Sequence, residues 1–249
     1  MLTYLAIAAL CFSGGLLSGM AGFGALILIV PALILLLGME TAIPLGVLCG
    51  VGSQFFNALP HYRHLHKRPL AYMILGGLPG LWLGSTLLSR LPESLLRAML
   101  GLLLICYVLW SVSQKMPPPS RPPTTIWAVA AGFCSGALGG AFGINGPPAV
   151  IYVTRTGWSP KEMRAFLGAF CWLLFCFFAI ILAIRGMLDG TVLKLASIAL
   201  PFCLLGNASG QIVSARLHPV QYLRLVFAML FVMGVTLCWP AVRIHILGW

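Results

Sequence analysis

The sequence predicts an all-α polytopic membrane protein: two related halves of four apolar segments, the first segment of each half discontinuous, arranged as an inverted repeat. Three observations predict it. First, 60% of the 249 residues are apolar and only 8% are charged, whereas a soluble domain carries about 25% charged residues. Mean hydropathy is +1.02, and too little polar surface remains to cover a water-facing globule. Second, the apolar residues fall in runs long enough to cross a bilayer. Third, the chain repeats itself. The composition excludes a soluble enzyme, a nucleic-acid reader and a disordered tail.

A spanning helix needs roughly 20 apolar residues. The apolar segments are 3–37, 41–60, 70–89, 94–113, 125–154, 163–184, 191–215 and 220–240. The chain carries no Lys or Arg before Arg63, so the first segment lacks the basic start of a secretory signal and is read as part of the fold with its N-terminus outward. It is too long for one crossing, and Gly14, Gly15, Gly19, Gly22 and Gly24 precede Pro31 within it. Segments two to four follow at ordinary length. Residues 114–123 hold five prolines, which cannot continue a helix and mark a linker. The domains are therefore 1–113, a linker at 114–124, and 125–249. The fifth segment copies the first: Gly132, Gly136, Gly139, Gly140, Gly143 and Gly146 precede Pro147 and Pro148. Glycines at mid-segment followed by proline are the composition of a broken or re-entering helix.

Shifting the chain by 117 places Gly15, Ser18, Gly19, Gly22 and Pro31 on Gly132, Ser135, Gly136, Gly139 and Pro148. A shift of 122 places Glu40, Arg63, Pro79 and Gly84 on Glu162, Arg185, Pro201 and Gly206, and 127 places Pro92 and Arg97 on Pro219 and Arg224. The hand of the repeat has two readings. Four crossings per half make it parallel and split the basic loops 8 to 7. Three net crossings make it inverted, with ten Lys and Arg on one face against five on the other; the positive-inside rule favours this.

A helix broken inside the bilayer presents a half-helix start whose N–H groups suit an anion. Gly22, Phe23 and Gly24, and Gly139, Gly140, Gly143, Asn145 and Gly146, are therefore candidate substrate ligands, while Gly15/Gly19 and Gly132/Gly136 are close-packing contacts. Ser53, Gln54 and Asn57 join the candidate site, against the alternative of interhelical hydrogen bonding, which is the preferred reading for Asn207, Ser209, Gln211 and Ser214. His61, Arg63 and Arg185 are candidates for anion steering or a proton relay, although the stretch 61–68 reads first as a headgroup-level basic loop. The eight cysteines lie in apolar segments without a Cys-x-x-Cys, so neither disulfide nor metal is expected. No nucleotide-binding or catalytic signature occurs; no enzyme activity and no cofactor are expected.

These features resemble the TauE/SafE family of permeases, also called the toluene-sulfonate uptake group. The resemblance rests on Gly15-x-x-x-Gly19-x-x-Gly-Phe-Gly24 followed by Pro31, its partner Gly132-x-x-x-Gly136-x-x-Gly-Gly140, the basic end of the second segment and the Leu91–Arg97 stretch. The family's glycine triplet is only partly kept, and the Gly-x-x-Asp of the third segment survives at Gly186–Asp189 but not at Lys67–Leu70. The resemblance implies a secondary transporter of the bacterial inner membrane that moves sulfite or an organosulfonate; the breaks themselves predict that the two segments meet near mid-membrane and that one half rocks against the other in alternating access. The partners expected are that anion and the lipid bilayer, with homodimer formation left open and no nucleic acid. The rival reading is a membrane assembly or accessory factor without transport activity of its own.

Overall fold

In a computed structural model of the chain, residues 2–22, 25–113, 124–213, 231–232 and 234–237 are described. Phe23, Gly24, the linker at 114–123 and most of the eighth apolar segment lie outside them. Nine helices are named within these bounds: α1 Leu2–Ala21, α2 Ala25–Leu37, α3 Met39–Ala58, α4 Lys67–Arg90, α5 Glu93–Ser113, α6 Thr125–Phe142, α7 Gly146–Thr154, α8 Pro160–Ile184 and α9 Gly190–Val213. A 3-10 turn, Leu59–His64, extends α3. No strand occurs among the described residues. Helices are what lipid demands, because they satisfy every backbone polar group within the segment. Six of these stretches are long and apolar enough to cross a bilayer: Thr3–Met20, Met39–His64, Lys67–Arg90, Thr125–Phe142, Pro160–Ile184 and Gly190–Val213.

Glycine decides which helices pair. The most intimate pairs are α4 with α6 and α1 with α9. A methyl group at Gly76, Gly80 or Gly84 would overlap the carbonyl of Val129, Phe133 or Ala137, and one at Gly15 or Gly19 would overlap that of Cys203 or Asn207. Backbones approach this closely only where side chains are absent. Each pair runs parallel, and each joins a helix of one half to a helix of the other. By contrast α3 and α8 run antiparallel, with Gly50 against the Phe175 ring and Gly168 against the backbone of Ala58. The helices thus form two sets, α1–α3–α9 and α4–α6–α8, joined along α3 and α8.

The contacts of the two glycine pairs follow one register. Gly15 on Cys203 becomes Gly136 on Gly77; Gly19 on Asn207 becomes Gly140 on Leu81; Gly206 on Phe12 becomes Gly80 on Phe133. The left-handed Gly22 likewise becomes Gly143, with φ of +78° and +71°. α1 therefore maps onto α6 by 121 residues and α4 onto α9 by 126, each one helical turn later than the shifts of 117 and 122 read from sequence. The reason is physical: glycines recur every four residues on these faces, so a sequence comparison slides by one turn without losing its matches.

These directions place both ends of the bundle. The start of α8 meets the end of α1, where Arg164 Nη2 donates to the Met20 carbonyl at 3.0 Å. The start of α3 meets the start of α5, where the Met39 N–H donates to Glu93 Oε1 at 2.8 Å. α2 therefore carries the chain back from the first end to the second. The first end holds His61, Arg63, Lys67, Arg68, Lys161 and Arg164. There Ser159 and Glu162 form a reciprocal N-cap on α8. Glu162 Oε1 also lies 2.9 Å from His66 Nε2, whose ring stacks on Trp158 at 4.3 Å. Ser159→Ala removes this cap and should lower stability by about 1 kcal/mol, read as a drop of a few degrees in Tm of the detergent-solubilised protein.

Candidate functional site

Both broken segments bend at a left-handed glycine. At the first elbow, Gly22 N–H donates to the Ser18 carbonyl at 2.7 Å and ends α1. The aliphatic stem of Arg164 covers Gly22, with Cγ 2.8 Å from where a Cβ would stand. Arg164 arrives from the other half of the chain, 144 residues from the Met20 carbonyl that its guanidinium caps. A cation at a helix C-terminus opposes the negative end of the dipole. Sequence reasoning missed this residue, because nothing local links it to the elbow.

One turn above that elbow a polar network joins α1, α3 and α9. Asn207 Nδ2 donates to Ser53 Oγ at 2.7 Å, Ser53 Oγ to Ser18 Oγ at 3.1 Å, and Asn57 Nδ2 to Ser18 Oγ at 2.9 Å. Gln54 Oε1 accepts from Asn57 Nδ2 at 3.3 Å, and Gln211 Nε2 donates to Asn207 Oδ1 at 2.8 Å and to Asn57 Oδ1 at 3.3 Å. Ser18, Ser53, Gln54, Asn57 and Asn207 are all buried. Ser53 and Asn57 thus bond to neighbouring helices, the interhelical alternative weighed for them above. In the α4–α6–α8 set Leu81 takes the place of Asn207, and Leu174 packs against Gly77.

The second elbow spans Gly143, Ile144 and Asn145, all buried. Gly143 N–H donates to the Gly139 carbonyl at 2.8 Å and ends α6. Gly139 and Gly140 are not part of the break, as the motif suggested; they lie inside α6, Gly140 packed on α4 and Gly139 facing Asn145. Gly146 opens α7, but Pro147 and Pro148 follow it and carry no N–H. Side chains must therefore supply most donors here. Asn145 is 4% exposed and its Nδ2 has no hydrogen-bond partner; Ser135, fully buried, has an unpartnered Oγ. Such groups are rare in native interiors.

The elbows do not meet at mid-membrane. Gly143 lies beside Ile43 near the start of α3, whereas Ser18, one turn before Gly22, bonds Asn57 near its end. At 1.5 Å per residue, they stand about 20 Å apart along the bundle, because α1 and α6 run in opposite directions. One small anion cannot touch both. Beyond the second elbow lies a cavity of about 680 Å³ lined by Glu40, Glu93, Asp189, Ser89 and Arg185 among others. Arg185 donates to the Ser85 carbonyl and to Ser89 Oγ, and its guanidinium lies over Trp82. His61 and Arg63 stand at the opposite end in the 3-10 turn, Arg63 against its neighbour Tyr62.

Paired helix breaks, buried polar groups and a bundle of spanning helices define the class: a multi-pass α-helical protein of the transporter type. The chain belongs to the sulfite exporter TauE/SafE family, whose model matches residues 7–237. It is thereby a multi-pass protein of the inner membrane. A probable sulfite/organosulfonate exporter TauE of Cupriavidus necator is 28% identical over 194 residues, which cover 76% of this chain and 75% of that protein. No solved structure matches it.

Proposed function

We propose that this protein is a secondary transporter that carries a small sulfur oxyanion, sulfite or an organosulfonate, across the inner membrane by alternating access. The observation that carries the reading is Asn145: a donor buried within the membrane bundle, without a partner, at the start of a half-helix. An anion is the ligand that such a place accepts. Export is the direction named for the Cupriavidus relative, and the basic end of this bundle suits capture of an anion from the cytoplasm. Gly143, Asn145 and Gly146 form one half-site, and Gly22 with Phe23 and Gly24 the other, reached in turn rather than together.

The moving bodies in this reading are not the sequence halves. Backbone contact along the glycines welds α4 to α6 and α1 to α9, each pair joining a helix of one half to a helix of the other. Motion then falls on the α3–α8 seam, with α1–α3–α9 and α4–α6–α8 rocking against each other. The test is flux. Proteoliposomes holding the protein should take up radiolabelled sulfite or sulfoacetate faster than empty ones. Asn145→Leu should slow that uptake at least tenfold, a transition-state loss of about 1.4 kcal/mol. Equal uptake with and without the protein, for both anions, overturns the reading.

A further inference from the structure

We infer that the second elbow is a dry subsite selective for singly charged oxyanions, with Ser135 as its second donor beside Asn145. This rests on the transport reading and adds to it the charge state of the cargo. Ser135 Oγ and Asn145 Nδ2 are the buried side-chain atoms without a partner among the described residues, and the inference assigns them to one side of α6. The Cβ of Asn145 is 3.1 Å from where a Cβ on Gly139 would stand. Ser135 lies one turn before Gly139 on the same face of α6, roughly 6 Å along the helix. In this assignment two oxygens of one sulfonate or hydrogen sulfite head accept from the two side chains, one each. Gly139 keeps the space open, since any larger residue would press on Asn145.

The charge argument follows from what surrounds the elbow. From α2, α3 and α4 the residues against it are Val30, Ile43 and Leu81, none of which titrates. Ile144, Phe142 and Pro147 complete a buried apolar setting. Of the charged groups at this end, Arg185, Glu40, Glu93 and Asp189 line the outer cavity instead; Arg185 is held by Ser85 and Ser89, and Arg97 is paired with Glu93. Two neutral donors and the start of α7 match one negative charge. A second charge would enter without a counter-ion, and burying an uncompensated charge is far more costly than burying a paired one. The subsite therefore accepts hydrogen sulfite or a monosulfonate and rejects the sulfite dianion and sulfate.

Calorimetric titration of the whole protein in detergent tests this with defined probes. Methanesulfonate, singly charged at every accessible pH, should bind with constant affinity, and sulfate at least tenfold more weakly. Sulfite should weaken as pH rises through its second ionisation. Ser135→Ala should weaken methanesulfonate about tenfold while leaving Tm of the ligand-free protein equal or higher, because it deletes an unsatisfied hydroxyl; a merely structural serine would lower Tm. Sulfate binding as tightly as methanesulfonate, or Ser135→Ala binding methanesulfonate like wild type, overturns the inference. Absence of methanesulfonate binding by the wild type overturns it as well. Binding with this selectivity but no flux in vesicles defeats the transport reading and leaves the subsite standing.

Discussion

Gly136→Val should prevent assembly of the bundle. A side chain at Gly136 points into the Gly77 carbonyl and the Leu81 N–H of α4, and these are backbone atoms that no rotamer change can move. The pair must separate instead, and with it the neighbouring contacts of Gly80, Gly84, Gly132 and Gly140 loosen together. In lipid there is no hydrophobic force to compensate, since tight packing itself drives association. Overpacking in an ordinary core costs about 1–3 kcal/mol, and here the obstruction is rigid. The expected result is loss of the monodisperse peak in size-exclusion chromatography. Gly15→Val should do the same through α1 and α9, because the Cys203 carbonyl stands where the Gly77 carbonyl stands for Gly136. Gly190→Ala, with nothing within 4 Å of the new methyl, should elute and melt as wild type. A monodisperse Gly136→Val protein with unchanged Tm would refute the welded pairs.

Asn207→Leu should cause the second large loss, by a different route. Asn207 Nδ2 serves Ser53 Oγ at 2.7 Å and its carbonyl at 3.2 Å, and Asn207 Oδ1 accepts from Gln211 at 2.8 Å. Leucine is close in volume but makes none of these bonds. A buried polar group left unmatched costs about 1–3 kcal/mol, and partial re-pairing within a membrane bundle reduces the net effect. The expected destabilisation is about 2 kcal/mol, read as a drop of several degrees in Tm. The paired substitution of Asn207 and Ser53 by apolar residues should cost less than the sum of the two singles, since each deletes a partner that the other orphans. Strict additivity would show that the network holds nothing together.

Much of this was legible in the chain itself. Both helix breaks fall inside the glycine clusters that precede Pro31 and Pro147, and Asn145 stood out as an amide within an apolar segment. Gly139 and Gly140 were assigned to the break, yet they continue α6, because glycine flanked by Ala137, Leu138 and Ala141 in a packed helix has no reason to bend. Nothing near Arg164 in the chain points to Gly22; the contact forms only because folding brings Arg164 to the end of α1, where it bonds Met20, 144 residues away. Ser135 was visible only as a match to Ser18. In the fold Ser18 is bonded within a network and Ser135 is not, because the contacts set Ser18 in register with Gly139 rather than with Ser135.

The residue order by itself determined that this is a helical protein of the membrane, and where its helices bend. Composition settles the solvent, and in hydrocarbon a backbone has hardly any option besides the helix. Only the tertiary structure decided which helices lie together and how far apart the bends fall. A glycine face repeating every four residues accepts many partners and several registers with equal ease. The choice among them is made by the whole set of contacts at once, and that choice sends the two elbows to opposite ends of the bundle.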